Sequence, residues 1–405
     1  CFRKFLYKSI NMNFIKLLIS IIILISVNAS NLLAEIKVGI ILGFTGPISS
    51  FTPAMAKSSE LAFKEASNSG LLLGGKTISA SRLDSTCVDS TSAVDAAKNF
   101  ISQKVVAIIG ASCPDIAQVI ASNVTIPNKV LMISPSSTSP DLENLINSGF
   151  FFRTSPSDTR GVQILADFTK DKNIKSVAIT FVDNTYEKNL SKVFKNALET
   201  HGIKVTINSS HKGGKNDYSS EVAKLASSGG DALAIISYIN RGGKEIVQAS
   251  LDSGTFSRFI FFDGMVDENL TNIFGEKLNG SFGVLPGSKR KGARIFANMT
   301  KKNNIVSGPF IGESYDAAAL IVLAMQAGNT TNSSSIAKNI LEIANWPGTK
   351  IYPVELKKGL ELINKGRKIN YEGATNIEFS IDGKIKGSFL EQVVKNGKFK
   401  SQHQR

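Results

Sequence analysis

From residue 36 almost to its end, the chain alternates short apolar runs of strand length with amphipathic stretches of helical period. Strand-like runs at 36–43, 77–84, 105–110 and 130–134 are separated by helical patterns at 54–67, 91–102 and 115–123. A second series has strands at 176–181, 204–207, 231–238 and 258–262, and helices near 159–171, 187–200, 217–227 and 241–252. Serial alternation of this kind builds parallel sheets, because each helix is a right-handed crossover that covers one face and returns the chain to the same edge. In helix 91–102 the buried stripe is expected at Val94, Ala97 and Ile101, with Ser90 as the cap.

The roughly 370 residues beyond position 34 exceed what one hydrophobic core serves, so two lobes are expected. Phe150-Phe-Phe-Arg-Thr-Ser-Pro-Ser-Asp158 reads as a first crossover and Val284-Leu-Pro-Gly-Ser288 as a return. Helices near 290–303, 312–327 and 334–344 then resume the style of the first series, and a β-rich tail from 371 to 398, with a turn at Asp382-Gly383, makes a third crossing. The predicted fold is α/β, two doubly wound parallel-sheet lobes joined by three crossovers. Lobe 1 takes residues 35–154 plus 286–370, and lobe 2 takes 155–285 plus 371–400. Ligands of such sheets bind beyond the carboxyl ends of the strands, which here places them between the lobes.

Residues 1–34 read as an upstream extension and a signal peptide. Lys16 precedes the apolar run from Leu17 to Val27, and a small, polar stretch ends at Ala34, the n-, h- and cleavage-region order of an export signal. A run of about 11 residues is too short to span a bilayer, which takes roughly 20. Cleavage is placed after Ala34, with Ala29 as the alternative; residues 1–11 precede Met12 and read as upstream sequence, so Cys1 is expected to be absent from the mature protein. The mature protein is therefore expected in the periplasm. Losing the four cations of this segment takes the formal charge from +14 to +10. The remaining lysines are scattered, with Lys289-Arg290-Lys291 the densest group, which describes a solvated surface rather than a nucleic-acid stripe.

Cys87 and Cys113 each follow a predicted strand, at 77–84 and 105–110. If those strands are neighbours, both thiols lie at the carboxyl edge, and in an oxidising compartment a disulfide is expected. A catalytic thiol lacks partners, since the histidines are His201, His211 and His403, none near a nucleophile pattern. Gly70-Leu-Leu-Leu-Gly-Gly-Lys-Thr77 satisfies the phosphate-loop pattern but lies after a helix and before a strand, the reverse of the context that aims amides at phosphate. HExxH, GxSxG and CxxC are missing as well. No enzyme, cofactor or metal site is expected. Ser134-Pro-Ser-Ser-Thr-Ser-Pro140, beyond the fourth strand, is either a pocket for an anionic or zwitterionic group or a plain Ser/Pro turn.

The ordered set Gly43-Phe-Thr-Gly-Pro47, Cys87 and Cys113, Leu131-Met-Ile-Ser-Pro-Ser-Ser-Thr-Ser-Pro140, Tyr186, Tyr238 and Phe262-Asp-Gly264 resembles the periplasmic Leu/Ile/Val-binding protein family of ABC importers, from about residue 35 to 395. The resemblance implies a type I periplasmic binding protein fold, a monomer whose lobes close over an amino acid and deliver it to a membrane permease. It places Ser137 and Thr138 at the ligand's carboxylate and ammonium, Asp263 at its ammonium, Tyr186 and Tyr238 over it, and Phe51 at its side-chain end. A strand-end carboxylate facing hydroxyls of the opposite lobe suits a zwitterion on chemical grounds too. The chain departs from the family at Pro114 and Asp115, after the second cysteine, where serine is common, and at Glu187, where glycine is common. An inward Asp115 would repel a ligand carboxylate. These departures leave an amide, a larger amino acid or a cationic amine such as a polyamine open beside the branched-chain amino acids. A ligand-sensing subunit of a membrane receptor, and a secreted α/β enzyme, are the other function classes.

Overall fold

The computed structural model describes residues 35–405, so the expected export signal lies outside the described residues. The first series gives β1 (Ile36–Leu42), α1 (Thr52–Asn68), β2 (Ile78–Asp84), α2 (Ser90–Ser102), β3 (Ala107–Gly110), α3 (Pro114–Ile120), β4 (Leu131–Ser134) and β5 (Phe151–Arg153). The second gives α4 (Asp158–Asp171), β6 (Ser176–Val182), α5 (Thr185–Thr200), β7 (Lys204–His211), α6 (Ser219–Ser228), β8 (Ala232–Ile236), α7 (Gly243–Asp252), β9 (Phe259–Phe261), α8 (Glu268–Phe274) and β10 (Phe282–Pro286). Then come α9 (Lys291–Lys302), α10 (Ile311–Gly328), α11 (Ser333–Ala344), β11 (Thr349–Ile351), α12 (Leu356–Asn364), β12 (Ile369–Tyr371), β13 (Phe389–Lys395) and β14 (Lys398–Gln404).

One sheet has the order β2-β1-β3-β4-β5, parallel throughout. The other has the order β14-β13-β10-β9-β8-β6-β7 and is parallel except where β13 pairs antiparallel with β10 and β14. Central strands read as unbroken apolar runs because helices cover both faces; β4 and β8 are buried at every position. Helix α10 is buried from Gly312 to Gln326, as an apolar sequence without a polar face requires, and joins the core of the first sheet. Among the described residues no helix is long and apolar enough to cross a membrane.

Several expectations shift. The segment 150–158 contains the edge strand β5, and 282–286 is β10, a strand of the second sheet that ends where the return crossing begins. The tail does not leave the first core at Tyr371. Ala374, Ile377, Phe379 and Ile385 remain in that core, so the third crossing falls at about residues 386–388 instead of at the expected boundary. Asp316 supplies the reason: its buried carboxylate accepts hydrogen bonds from the Tyr371 hydroxyl, the amides of Ala374 and Thr375 and the Thr375 hydroxyl, which pins the segment to α10.

Helix α2 is capped by Asp89, whose carboxylate accepts from the amides of Thr91 and Ser92, and Ser90 is its first residue. Its buried face is Ala93, Ala97 and Phe100, because the Phe100 ring fills the space left over Gly39, where a β-carbon would stand 2.5 Å from it. Asp89→Ala is therefore expected to lower the urea midpoint of unfolding and Ser90→Ala to leave it in place, measured side by side.

The disulfide joins Cys87 to Cys113, with Cα atoms 5.5 Å apart. The strands preceding the two cysteines are not neighbours; β2 and β3 lie on either side of β1. The bridge therefore passes over the carboxyl end of β1, where Gly43 leaves room for it: a β-carbon there would lie 2.9 Å from the Cys87 sulfur. Closing a loop of this length stabilises a fold by about 3 kcal/mol in the chain-entropy view.

Candidate ligand-binding site

The carboxyl ends of the two sheets face each other, and the loops leaving them form one cavity. From the first sheet come Phe51 after β1, Ser112 after β3, and Ser136 and Thr138 after β4; from the second come Tyr186, Tyr238 and Asp263, after β6, β8 and β9. Five of the six expected ligand residues, Phe51, Thr138, Tyr186, Tyr238 and Asp263, line this cavity. Ser137 does not. It is fully buried, its hydroxyl donates to the Ala111 carbonyl at 2.9 Å and its amide donates to Ser134 Oγ at 3.0 Å, so it holds the loop from beneath. The lining adds Ile48, Met55, Ser112 and Phe310, which the sequence does not single out, and Ser136, which it offers only as part of the loop 134–140.

The lobes are drawn together in this conformation. The hydroxyls of Thr138 and Tyr186 lie 3.1 Å apart across the cleft, and Ser50 Oγ donates to Asp267 Oδ2 at 3.1 Å. The cavity left between the lobes is about 20 Å³, room for roughly one water. Asp158 anchors the closure. Its amide donates to the Thr138 carbonyl and its carboxylate accepts from the Tyr186 hydroxyl at 2.8 Å, so one residue of the first crossing grips a loop from each sheet. Arg153 lies behind it, almost fully buried, donating to the Ser139 carbonyl at 2.7 Å and paired with Glu143 at 3.3 Å.

Electrostatics follow from enclosure. Asp263 is pushed up to about 7, first by burial and then by the nearby Asp158 carboxylate, against the Gly264 amide that donates to it at 2.8 Å. Burial likewise raises the Tyr186 and Tyr238 hydroxyls, which stay neutral hydrogen-bonding groups. Gly264 sets the Tyr238 ring, since a β-carbon there would meet it at 2.7 Å. Pro114 lines the cavity, whereas Asp115 is exposed on the first turn of α3, so the expected repulsion of a ligand carboxylate does not arise there. Glu187 is buried, at 2% exposure, and burial pushes its carboxyl up to about 7. Among the described residues no cluster of side chains is arranged to hold a metal ion.

Residues 54–390 match the family model described as receptor family ligand binding region. The chain belongs to that family. A relative within reach of this ligand-binding region is the Leu/Ile/Val-binding protein homolog 3 of Brucella melitensis, 28% identical over 319 residues, which span 76% of this chain and 84% of the relative. The Leu/Ile/Val/Thr-binding protein of Salmonella typhimurium is 25% identical over 312 residues, 75% of this chain and 82% of its own length. Among solved structures, the leucine binding protein LivK of Thermotoga maritima superposes with a TM-score of 0.76 at 23% identity, covering 91% of this chain and 98% of that one. The LivJ substrate binding protein of Streptococcus pneumoniae, in complex with isoleucine, gives a TM-score of 0.76 at 19% identity, with coverage of 92% and 99%. The receptor-family chain thus has the two-lobed type I periplasmic binding protein fold, and it is a solute-binding protein, not an enzyme.

Proposed function

We propose that this protein is the extracytoplasmic receptor of an ABC importer, capturing an amino acid between its lobes and passing it to a membrane permease. The observation that carries the reading is the ring of Phe51, Thr138, Tyr186, Tyr238 and Asp263 around one cavity, contributed by loops of both sheets and already bonded across the cleft. A ligand that touches both lobes stabilises the closed form over the open one, and that difference in affinity is what drives closure. The names of the relatives from Brucella and Salmonella supply the amino-acid class.

In this reading lobe 1 comprises residues 35–154 with 290–385, and lobe 2 residues 155–286 with 389–405. Thr138 receives the ligand's carboxylate, Asp263 its ammonium, and Phe51 flanks its side chain. Ser137 acts through the loop it supports. The test is a thermal-shift screen of the purified protein against the common amino acids. A ligand at 100 times its dissociation constant adds about 2.7 kcal/mol to folding stability. A shift with one or more amino acids is the expected result; flat melts across the set would sink the reading.

A further inference from the structure

Glu187 follows Tyr186 of the cavity wall, lies behind the lining rather than in it, and is left unused by capture of a simple zwitterion. It sits in the first turn of α5, beside Tyr186, and its backbone amide donates to the Asn184 side chain at 3.0 Å. The side chain is buried and its Oε2 has no hydrogen-bond partner among the described residues. An ionised carboxylate in that position costs several kcal/mol unless a cation or donors meet it.

The neighbouring charges close among themselves and leave Glu187 over. Arg153 and Lys384 share Glu143, at 3.3 and 3.0 Å, and Arg153 also attracts Asp158. Asp263 is matched by the ammonium of a bound amino acid, whose own carboxylate goes to the hydroxyl loop. Arg241 is the cation near Glu187, but it is also attracted to Asp115 of the facing lobe and makes no ion pair with either among the described residues. The Glu187 carboxyl is close enough to Tyr238 and Asp263 to push both upward, so its field falls on the cavity wall that Tyr238 forms.

We propose that Glu187 makes this protein selective for amino acids carrying a second cationic group, with the distal ammonium or guanidinium seated between Tyr238 and the Glu187 carboxylate. The inference rests on the amino-acid reading of the cleft and deepens it.

L-lysine and L-norleucine have side chains of matched length that differ in the terminal ammonium, so they isolate the claim. Calorimetric titration of the purified protein is expected to show lysine binding at least tenfold tighter than norleucine. Glu187→Gln is expected to remove at least tenfold of the lysine affinity and to change norleucine affinity far less, while Glu187→Asp keeps part of the preference. Norleucine or leucine binding as tightly as lysine to the native protein overturns the proposal and leaves amino-acid capture standing. Lysine affinity that survives Glu187→Gln overturns the role of Glu187. Binding of neither ligand, nor of any other amino acid, overturns the capture reading itself and the selectivity with it. A circular-dichroism melt of each variant separates lost selectivity from lost fold.

Discussion

Asp263→Asn is expected to weaken amino-acid binding about 100-fold at pH 8, because it replaces a charge-assisted contact to the ligand's ammonium with a neutral one. The same substitution is expected to raise the melting temperature at that pH. The carboxyl of Asp263 is pushed up to about 7 in the folded protein, chiefly by burial and by Asp158. An acid raised in this way contributes stability that is complete below its ordinary range near 4 and is lost as pH rises through about 7, since the unfolded chain ionises more readily. Asparagine has no proton to lose and escapes that cost. For the native protein the sign is reversed for binding: the ammonium favours the ionised form, so affinity falls as pH drops below about 7. Calorimetry at pH 5.5, 7 and 8, paired with melts, reads all three effects. Affinity unchanged by the substitution would remove Asp263 from the site, and a fall in both affinity and stability would indicate damage to the fold.

The two sheets were legible because strand and helix have different periods, and β1, β6 and the helices between them carry those periods clearly. Strands β5 and β10 were not. Each lies beside residues that read as linker, Thr154 to Pro156 in one case and Pro286-Gly287 in the other, and a run of three to five residues is too short to show alternation. The long stay of residues 371–385 in the first core rests on the four hydrogen bonds to Asp316, a contact made from 55 to 59 residues away that no local pattern records.

At the site, the strand-end loops were legible and the direction of each side chain within them was not. In residues 136–138 the serine and threonine at the ends face the cavity and Ser137 turns under to the Ala111 carbonyl, and a loop has no period from which to choose that phase. Asp158 escaped notice for a different reason. Its partners Thr138 and Tyr186 lie 20 or more residues away on opposite sides of the cleft, so its role exists only in the folded chain. Glu187 reads locally as an ordinary acid in the first turn of a helix, complementing the helix dipole. Its near-complete burial exists only in the folded chain.

The second large effect is expected where the three crossings meet. Glu313, in the first turn of α10, lines a narrow space together with Thr154 and Pro156 of the first crossing, Gly287 of the second and Gly387 of the third. Its carbonyl accepts from the Thr154 hydroxyl at 2.8 Å, which ties the first crossing to the helix. Its carboxyl is pushed up to about 8, by burial first and by the neighbouring Asp316 in addition, against the pull of its own backbone amide. Raised acids destabilise with rising pH, so this residue's contribution is complete below about 4.5 and is lost progressively up to about 8. Glu313→Gln is expected to flatten that slope. The gain over the native protein grows from almost nothing at pH 4.5 to roughly 3–5 kcal/mol at pH 9. Urea unfolding at pH 4.5, 7 and 9 measures it, and parallel slopes for the two proteins would show that Glu313 is solvated at the hinge. In the proposed closing motion the segments that seal this carboxyl bend as the lobes part, so ionisation at high pH also favours whichever lobe arrangement admits water to it. Ligand affinity in Glu313→Gln is accordingly expected to hold at pH 9, where that of the native protein declines.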